Sequence, residues 1–169
     1  MEWFSVAAVE PDWDYLQIFY FTDFIPGLDA DAKSNAHPLI RTDVNSPANM
    51  SYISSIIYQK GSTVLRMFEY ILTTDKFFDA IHRYLQGNAF TTVLSPTLLD
   101  TLATVPVDGL IEGPNGTVRE FLYSWTTQAG IPYVNITLSS GSGTTTRVYN
   151  IVQERFFANG IRPEGEEKR

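Results

Sequence analysis

Hydrophobic residues recur every three or four positions through the middle of the chain, most densely between residues 53 and 72. The apolar positions of that run are Ile53, Ile56, Ile57, Val64, Leu65, Phe68, Ile71 and Leu72. Such a wide apolar stripe predicts one long amphipathic helix with one face in a core. The stripe is interrupted at residues 58–61, where the letters are Tyr, Gln, Lys and Gly. This polar interruption needs a structural explanation of its own.

Two helices are predicted before this run. The first covers residues 12–24, with Asp12 as its N-cap, and Pro26 with Gly27 is expected to break it. The second is short and covers residues 28–36. Its carboxylates, Asp29 and Asp31, are interpreted as part of a solvated face, because the segment is polar.

Three more helices are predicted after residue 72 from their N-terminal signals. The first is predicted over 75–85, with Asp75 as its cap. The second is predicted over 95–105, with Ser95 as its cap and Pro96 at the first helical position. The third is predicted over 117–130, with Thr117 as its cap. The last has the capping-box pattern, because Glu120 stands three residues after Thr117, and Gly130 supplies its stop. The side chains expected inward on the first of the three are Phe77, Phe78, Ile81 and Leu85.

Beyond Pro132 the periodicity changes from helical to alternating. Residues 133–138 and 147–157 are predicted strands, and the Gly- and Ser-rich residues 139–145 are their turn. The fold class is therefore mainly α with a β-hairpin near the end. Two strands alone are marginal in water, so the hairpin is interpreted as the first part of a second domain.

Composition narrows the classes of partner and of metal site. The formal charge of −7 argues against a nucleic-acid partner, because phosphate binding needs a basic face. The absence of cysteine excludes disulfides and thiolate metal ligands. His37 and His82 are the only histidines, and their spacing forms no zinc-binding pair. A self-contained zinc site is therefore not predicted.

Three N-glycosylation patterns bear on the compartment. They begin at Asn49, Asn115 and Asn135, and they favour an extracellular or cell-surface location, with the cytoplasm as the alternative. The N-terminus lacks the basic region of a secretory signal. The most apolar window, residues 15–28, is interrupted by Gln17, Asp23 and Pro26, so no transmembrane segment is predicted.

The polar interruption offers the best candidate for chemistry. Gly61 inside a helix costs about 0.5–1 kcal/mol relative to alanine, which predicts a close approach to its backbone by another helix or a ligand. Tyr58 lies at the border of the apolar stripe, which predicts a ring against the core and a hydroxyl facing a cleft. Such a phenol could donate to a developing oxyanion, or it could be a core tyrosine bonded to a carbonyl, which is the commoner arrangement.

The same segment carries a family resemblance. ISSIIYQKGSTVLRMFEYIL (53–72) resembles the segment Ile/Val-x-Tyr-x-Lys-Gly-x-x-Val-Leu-Arg-Met-Leu of the M1 family zinc aminopeptidases, which are aminopeptidase N-like gluzincins, and departs at Phe68. Further landmarks follow in family order: VEPDW (9–13), HPLIRTDVNSPANM (37–50), IHRYLQGNAFTT (81–92), SWTTQAGIPYVNI (124–136) and QERFF (153–157). The likeness extends to about Phe157.

The resemblance implies a fold and a domain division. Residues 1–131 would be the C-terminal helical part of a thermolysin-like catalytic domain. Residues 132–160 would begin an incomplete β-sandwich domain, and 161–169 would be a disordered tail. The resemblance also implies that Tyr58 donates its hydroxyl to the tetrahedral intermediate formed when a zinc-bound water attacks the peptide. The family's zinc-binding and substrate-amine motifs are expected to lie upstream of Met1.

These implications lead to three functional hypotheses. In the first, the intact enzyme uses zinc to remove N-terminal amino acids from peptides, while this chain alone binds no zinc and is inactive. In the second, the chain is a non-catalytic secreted interaction or receptor module derived from an aminopeptidase. In the third, it is a fragment that folds poorly because part of its core is missing.

Overall fold

Helices account for more than half of the residues that the computed structural model describes, which are 2–44, 46, 55–107, 116–139 and 147–164. The α-helices are α1 (Glu2–Val9), α2 (Tyr15–Phe19), α3 (Ile25–Asp31), α4 (Gly61–Leu72), α5 (Thr74–Gly87), α6 (Ser95–Leu102) and α7 (Val118–Thr127). Two π-helical turns, Tyr20–Phe24 and Ile56–Lys60, lie directly before α3 and α4. Strands β1 (Pro132–Ser139) and β2 (Val148–Arg155) follow. The mainly α fold class with a C-terminal hairpin is confirmed.

The core surrounds α4, and the predicted apolar stripe is its centre. Val64, Phe68 and Leu72 of α4 are almost fully buried. They form one cluster with Phe77 and Ala80 of α5, Leu99 and Leu102 of α6, Val105, and Val118 and Leu122 of α7. Burying a side chain of this size contributes about 1.5–3 kcal/mol, so this cluster is the main stabilising feature of the helical part.

Aromatic contacts attach the N-terminal helix, which was not predicted. Helix α1 has no buried residue. Its Trp3 ring lies 4.8 Å from the Tyr15 ring and 5.9 Å from the buried Phe19 ring, centroid to centroid. Its Phe4 ring meets Phe78 of α5 edge to face at 5.2 Å. Helix α1 therefore bridges α2 and α5 through rings rather than through an apolar stripe.

The predicted break at Pro26 and Gly27 is wrong. The chain passes through Tyr20–Phe24 into α3, and Ile25 N donates to Tyr20 O five residues back. Pro26 has no N–H group to donate to Thr22 O, four residues back, and Gln59 Nε2 donates to that oxygen instead at 3.0 Å. The predicted helix over 28–36 is correspondingly shifted, since α3 ends at Asp31.

Several helix boundaries also differ from prediction. Helix α5 begins at Thr74, so Asp75 lies inside its first turn and is not the cap. Helix α6 already includes Ser95, and Leu94 occupies its N-cap position. Leu85, predicted inward, is 59% exposed and borders an open cavity together with Phe77 and Ile81 of the same helix. The predicted cap at Asp12 is replaced by the 3₁₀ turn Pro11–Trp13.

The predicted capping box of the last helix is confirmed. Thr117 Oγ1 accepts a hydrogen bond from Glu120 N at 3.2 Å, and Thr117 N donates to Glu120 Oε2 at 2.8 Å. Helix α7 ends at Thr127, and Gly130 follows with φ +86°. Gln128 is already extended, with φ −113° and ψ 139°, so the helix ends before Gly130 and the prediction of Gly130 as its stop is wrong.

The hairpin is antiparallel, with Pro132 opposite Arg155 and Ser139 opposite Val148. Both strands are exposed along almost their whole length. The base of the hairpin is bonded to the end of α3, since Ala158 N donates to Ala32 O at 3.0 Å. The predicted features at residues 47–54, 108–115, 140–146 and 165–169 lie outside the described residues. Within the described part, no helix is both long and apolar enough to cross a bilayer.

Candidate functional site

The polar interruption of the long helix is a π-helical turn. Gly61 N donates to Ile56 O, five residues back, so this turn contains one residue more than an α-helical turn. The helical stretch continues on either side, from Ser55 to Leu72. Single π turns inside α-helices are frequent at functional sites. The interruption therefore marks a local widening of the helix that carries Tyr58.

The second π turn lies against the first. Gln59 Nε2 donates to Thr22 O at 3.0 Å, and Ser62 Oγ donates to Asp23 Oδ1 at 2.8 Å. Both acceptors belong to Tyr20–Phe24. The Gln59 bond thus joins the two widened turns directly, and the Ser62 bond joins the second turn to the start of α4.

Gly27 permits this close packing, whereas the sequence predicts that role for Gly61. A Cβ at Gly27 would lie 3.0 Å from Gln59 C, Gln59 O and Lys60 N. A Cβ at Gly61 would meet only Leu39 Cδ2, at an ordinary 3.8 Å. The predicted close approach of a helix to Gly61 is wrong for the described residues, and Gly27 has that role. The alternative, a ligand near Gly61, stays a prediction.

Tyr58 is solvent-exposed on the wall of a cavity. Tyr58 is 69% exposed, so the predicted packing of its ring against the core is wrong. Among the described residues, nothing hydrogen-bonds to its hydroxyl, so the core-tyrosine interpretation does not apply. The cavity has a volume of about 440 Å³ and is lined by Trp3, Phe4, Leu16, Phe19, Ile57, Tyr58, Gly61, Ser62, Leu65, Arg66, Phe77, Ile81, Tyr84, Leu85 and Leu98.

The cavity wall is mainly apolar, and the positive charge of the Arg66 side chain on that wall is compensated by a neighbouring carboxylate. Arg66 Nη1 lies 2.7 Å from Glu69 Oε2, and its guanidinium stacks over the Phe4 ring at 4.9 Å. Glu69 is only 3% exposed and also accepts a hydrogen bond from Thr74 Oγ1. Arg66 is therefore held by α4 and α1 and adds little net charge to a wall that also carries the hydroxyls of Tyr58 and Tyr84.

A buried ion pair lies beneath the same π turn. Lys60 Nζ is 2.8 Å from Asp31 Oδ2, and the two side chains are 6% and 0% exposed. Lys60 also donates to Gln128 O at 3.0 Å, while Gly130 N donates to Asp31 Oδ1 at 2.8 Å. The contact with Oδ2 is ionic rather than an aligned hydrogen bond, because that oxygen accepts no hydrogen bond from the described residues. The interpretation of Asp31 as solvated is wrong.

Sequence reasoning missed Lys60 as a buried residue, although a signal was present. Lys60 stands in the row of positions spaced by four that contains Ile56, Val64, Phe68 and Leu72. All five are buried. A lysine within such a row needs a buried anion, because an unpaired internal charge is costly. That anion is Asp31, contributed by a different helix.

No metal centre is formed by the described residues, since no three His, Cys, Asp or Glu side chains are grouped together there. His37 Nδ1 lies 2.8 Å from Pro38 O in a loop, and His82 is an exposed residue of α5. Neither histidine lines the cavity beside Tyr58. The arrangement offers a hydroxyl donor and an apolar wall, and no metal ligands.

Shifted pKa values occur away from the cavity. The Arg41 side chain hydrogen-bonds to Asp43 and lowers the pKa of that carboxyl. Partial burial raises the pKa of Tyr123, and the Asp100 carboxylate adds to this while Arg119 opposes it. None of these groups lines the cavity that contains Tyr58. These shifts therefore give no further candidate for acid or base chemistry there.

The glycosylation candidates fall in different parts of the chain. Asn135 is exposed on β1, opposite Val152. Asn49 and Asn115 lie outside the described residues. Use of these three sites stays a prediction.

Comparison with known proteins identifies a matching family and its members. The model of the peptidase family M1 domain matches residues 1–125. Aminopeptidase N of Homo sapiens is 30% identical over 145 residues, which is 84% of this chain and 15% of that protein. Membrane alanyl aminopeptidase of Manduca sexta is 28% identical over 161 residues, 94% of this chain and 16% of that protein. Aminopeptidase N of Lactobacillus helveticus is 28% identical over 170 residues, 99% of this chain and 18% of that protein.

Proposed function

The chain belongs to peptidase family M1, and we propose on that basis that it is part of an aminopeptidase in which Tyr58 stabilises the transition state. The intact enzyme would remove N-terminal amino acids from peptide substrates. The relatives named above are aminopeptidases, and this chain spans 15–18% of their length. The observation that supports Tyr58 is its exposed, unbonded hydroxyl on a cavity wall.

The chemistry required of Tyr58 is hydrogen-bond donation to a developing oxyanion. Attack on a peptide carbonyl places negative charge on its oxygen, and a fixed donor lowers that barrier by about 3 kcal/mol. A hydroxyl already bonded within the protein would first have to lose its partner. The Tyr58 hydroxyl has none among the described residues, so it is available for the substrate oxygen.

Zinc belongs to the intact enzyme, where it would activate the attacking water and polarise the carbonyl. The described residues do not fit a zinc site, because no three potential ligands are grouped among them. We therefore assign no step through zinc to this chain. The 169-residue chain alone is proposed to bind no zinc and to be inactive.

The domain division and location follow from the same family membership. Residues 1–131 are proposed to be the C-terminal helical part of the catalytic domain, and residues 132–160 the start of a β-sandwich domain. The exposed hairpin supports this division, since both of its faces are uncovered. An extracellular or cell-surface location, with glycans at Asn49, Asn115 and Asn135, is proposed from the sequence patterns and from the Manduca sexta relative, which is a membrane alanyl aminopeptidase.

A secreted interaction module is the second candidate function. Apolar side chains of both strands are exposed, including Ile136 at 60% and Ile151 at 64%, which favours contact with another protein surface. A cooperative thermal transition of the isolated chain would support this candidate over a poorly folded fragment. Purified chain that lacks a transition would exclude it.

The decisive experiment for Tyr58 is the conservative Tyr58→Phe substitution in an active enzyme. This chain would replace the matching segment of the Lactobacillus helveticus aminopeptidase N, and turnover of an aminoacyl-anilide would be measured. We expect kcat to fall by about 10²–10³-fold with KM and zinc content nearly unchanged. Tyr70→Phe is the control, because Tyr70 is 83% exposed on α4 and does not line the cavity.

Equal kcat values for Tyr58→Phe and Tyr70→Phe would contradict the role of Tyr58. For the isolated chain, metal analysis and the same substrate give a separate test. Stoichiometric bound zinc, or hydrolysis by the isolated chain, would contradict the proposed inactivity.

A further inference from the structure

Lys60 and Tyr58 belong to the same π turn but face different environments. Tyr58 is 69% exposed on the cavity wall, whereas Lys60 is 5% exposed beneath it. Residues two apart on a helix lie on roughly opposite sides of its axis. A rotation of the turn that drew Lys60 out of its ion pair would therefore also swing Tyr58 along the cavity wall.

We propose that Asp31 and Lys60 are positioning residues, whose buried ion pair fixes the rotation of the π turn and thereby the place of the Tyr58 hydroxyl. This inference rests on the proposed function of Tyr58. It assigns to Asp31 and Lys60 no contact with substrate. Their effect is on the geometry of the turn Ile56–Lys60.

The ammonium of Lys60 is held from two elements. Asp31, the last residue of α3, contacts it at 2.8 Å, and Gln128 O, just after α7, accepts from it at 3.0 Å. Asp31 is itself fixed by the Gly130 N–H at 2.8 Å. The π turn is thus tied to the ends of two helices that are far from it in sequence.

Two other contacts hold the turn on the side of the N-terminal helices. Gly27 allows the backbones of α3 and the turn to meet, and Gln59 Nε2 donates to Thr22 O of the second π turn. The Gln59 hydrogen bond is exposed, so water can replace it if the turn rotates. The Lys60 ammonium is buried, and losing Asp31 would leave its charge without a partner, which is costly.

Stability alone does not explain an ion pair at this place. Removing two charges from water is expensive, and well-packed apolar residues of similar volume often serve equally well or better. A buried polar pair can instead specify one arrangement among several that pack similarly. Here the arrangement specified is the one that presents Tyr58 to the cavity.

The test compares two aspartates of α3 in the Lactobacillus helveticus aminopeptidase N that carries this chain in place of its matching segment. Asp31→Asn removes the buried charge, whereas Asp29→Asn removes the exposed partner of Lys33, 3.6 Å away, and is the matched control. Because a misplacement of about 1 Å can cost about 10²-fold in rate, we expect Asp31→Asn to lower kcat by 10–10²-fold, with KM changed little. Asp29→Asn should leave both unchanged, and Asp31→Glu should restore part of kcat.

Three readouts separate positioning from a general structural role. In the Tyr58→Phe background, Asp31→Asn should lower kcat by less than twofold, because the hydroxyl it positions is gone. The double variant Asp31→Leu, Lys60→Met removes both buried charges and should fold, yet its kcat should fall as in Asp31→Asn. Amide hydrogen exchange of residues 55–62 should be faster in the Asp31→Asn chain than in the Asp29→Asn chain.

The outcomes distinguish this inference from the proposed function. Full kcat in the Asp31→Leu, Lys60→Met variant would overturn the positioning role, as would an equal effect of Asp31→Asn in the Tyr58 and Tyr58→Phe backgrounds. If Tyr58→Phe alone leaves kcat unchanged, the proposed function fails. Hydrogen exchange then still decides whether the ion pair fixes the turn, since unchanged exchange in the Asp31→Asn chain would refute that.

Discussion

A Cβ atom at Gly27 would lie 3.0 Å from both the carbonyl carbon and the carbonyl oxygen of Gln59. Helix α3 and the π turn Ile56–Lys60 therefore meet backbone to backbone. Contacts between backbone atoms are less easily relieved than contacts at the end of a flexible side chain. The fit between these two elements, and with it the position of the cavity wall, depends on the missing side chain at residue 27.

Gly27→Ala is expected to destabilise the chain although alanine favours helices. Overpacking a close contact costs about 1–3 kcal/mol, which exceeds the gain of about 1 kcal/mol in helix propensity. Gly61→Ala is the matched control, since a Cβ there meets only Leu39 Cδ2 at 3.8 Å. That variant should gain about 0.5–1 kcal/mol. Urea unfolding of the two variants measures the difference.

The critical result is whether Gly27→Ala has a lower free energy of unfolding than Gly61→Ala. If Gly27→Ala were as stable as Gly61→Ala, the backbones of α3 and the π turn would not be in contact. The contact between α3 and the π turn would then no longer support the proposed place of the Tyr58 hydroxyl on the cavity wall.

The helical core could be predicted because its signals are local. Val64, Phe68 and Leu72 recur at a spacing of four, and that spacing alone places them on one face. The Thr117 cap was predictable for the same reason, because its partner Glu120 is three residues away. Local signals therefore locate helices α4 to α7, although the caps predicted from such signals at Asp75 and Ser95 are wrong.

The candidate site could be predicted only in part, because its geometry depends on distant contacts. Tyr58 stands out in the sequence as a candidate, but it belongs to a π turn that has no residue signature of its own. That turn packs against Gly27 and Thr22, which are remote in sequence. Asp31 looked solvated because its cation, Lys60, belongs to another helix.

Gly130 gives a second test of close packing, at the base of the hairpin. It has φ +86°, and a Cβ there would lie 2.2 Å from Arg155 Nε. Gly160 has φ +67° and nothing within 4 Å, so Gly160→Ala reports the cost of strain alone. Gly130→Ala should cost about 1–3 kcal/mol more than Gly160→Ala in urea unfolding, because it adds the collision.

Arg155→Ala supplies the control for this collision. With the Arg155 side chain removed, the additional cost of Gly130→Ala should largely disappear, and the double-mutant cycle gives the coupling energy. Additive effects of the two substitutions would show that Gly130 and Arg155 do not meet.

Thr117 is expected to stabilise α7 through its cap. Thr117→Ala leaves the Glu120 amide without its acceptor and should cost about 1 kcal/mol, measured as a lower urea midpoint. Thr117→Ser should retain most of the stability. At the other end of the helix, Thr127 bonds back to Tyr123 O, so Thr127→Ala should be nearly neutral. Equal losses at both ends would contradict the capping box.

Thr73 connects α4 to α5 in a conformation that suits glycine. Its φ of +68° and ψ of +148° lie in a region that β-branched residues rarely adopt, at a cost of about 1–3 kcal/mol. Thr73→Gly should therefore stabilise the chain and raise its Tm, because the relieved strain exceeds the added unfolded-state entropy of about 0.4–1 kcal/mol. Thr92→Gly, at an exposed loop threonine without positive φ, should lower Tm. A lower Tm for both variants would mean that the α4–α5 junction is not strained at Thr73.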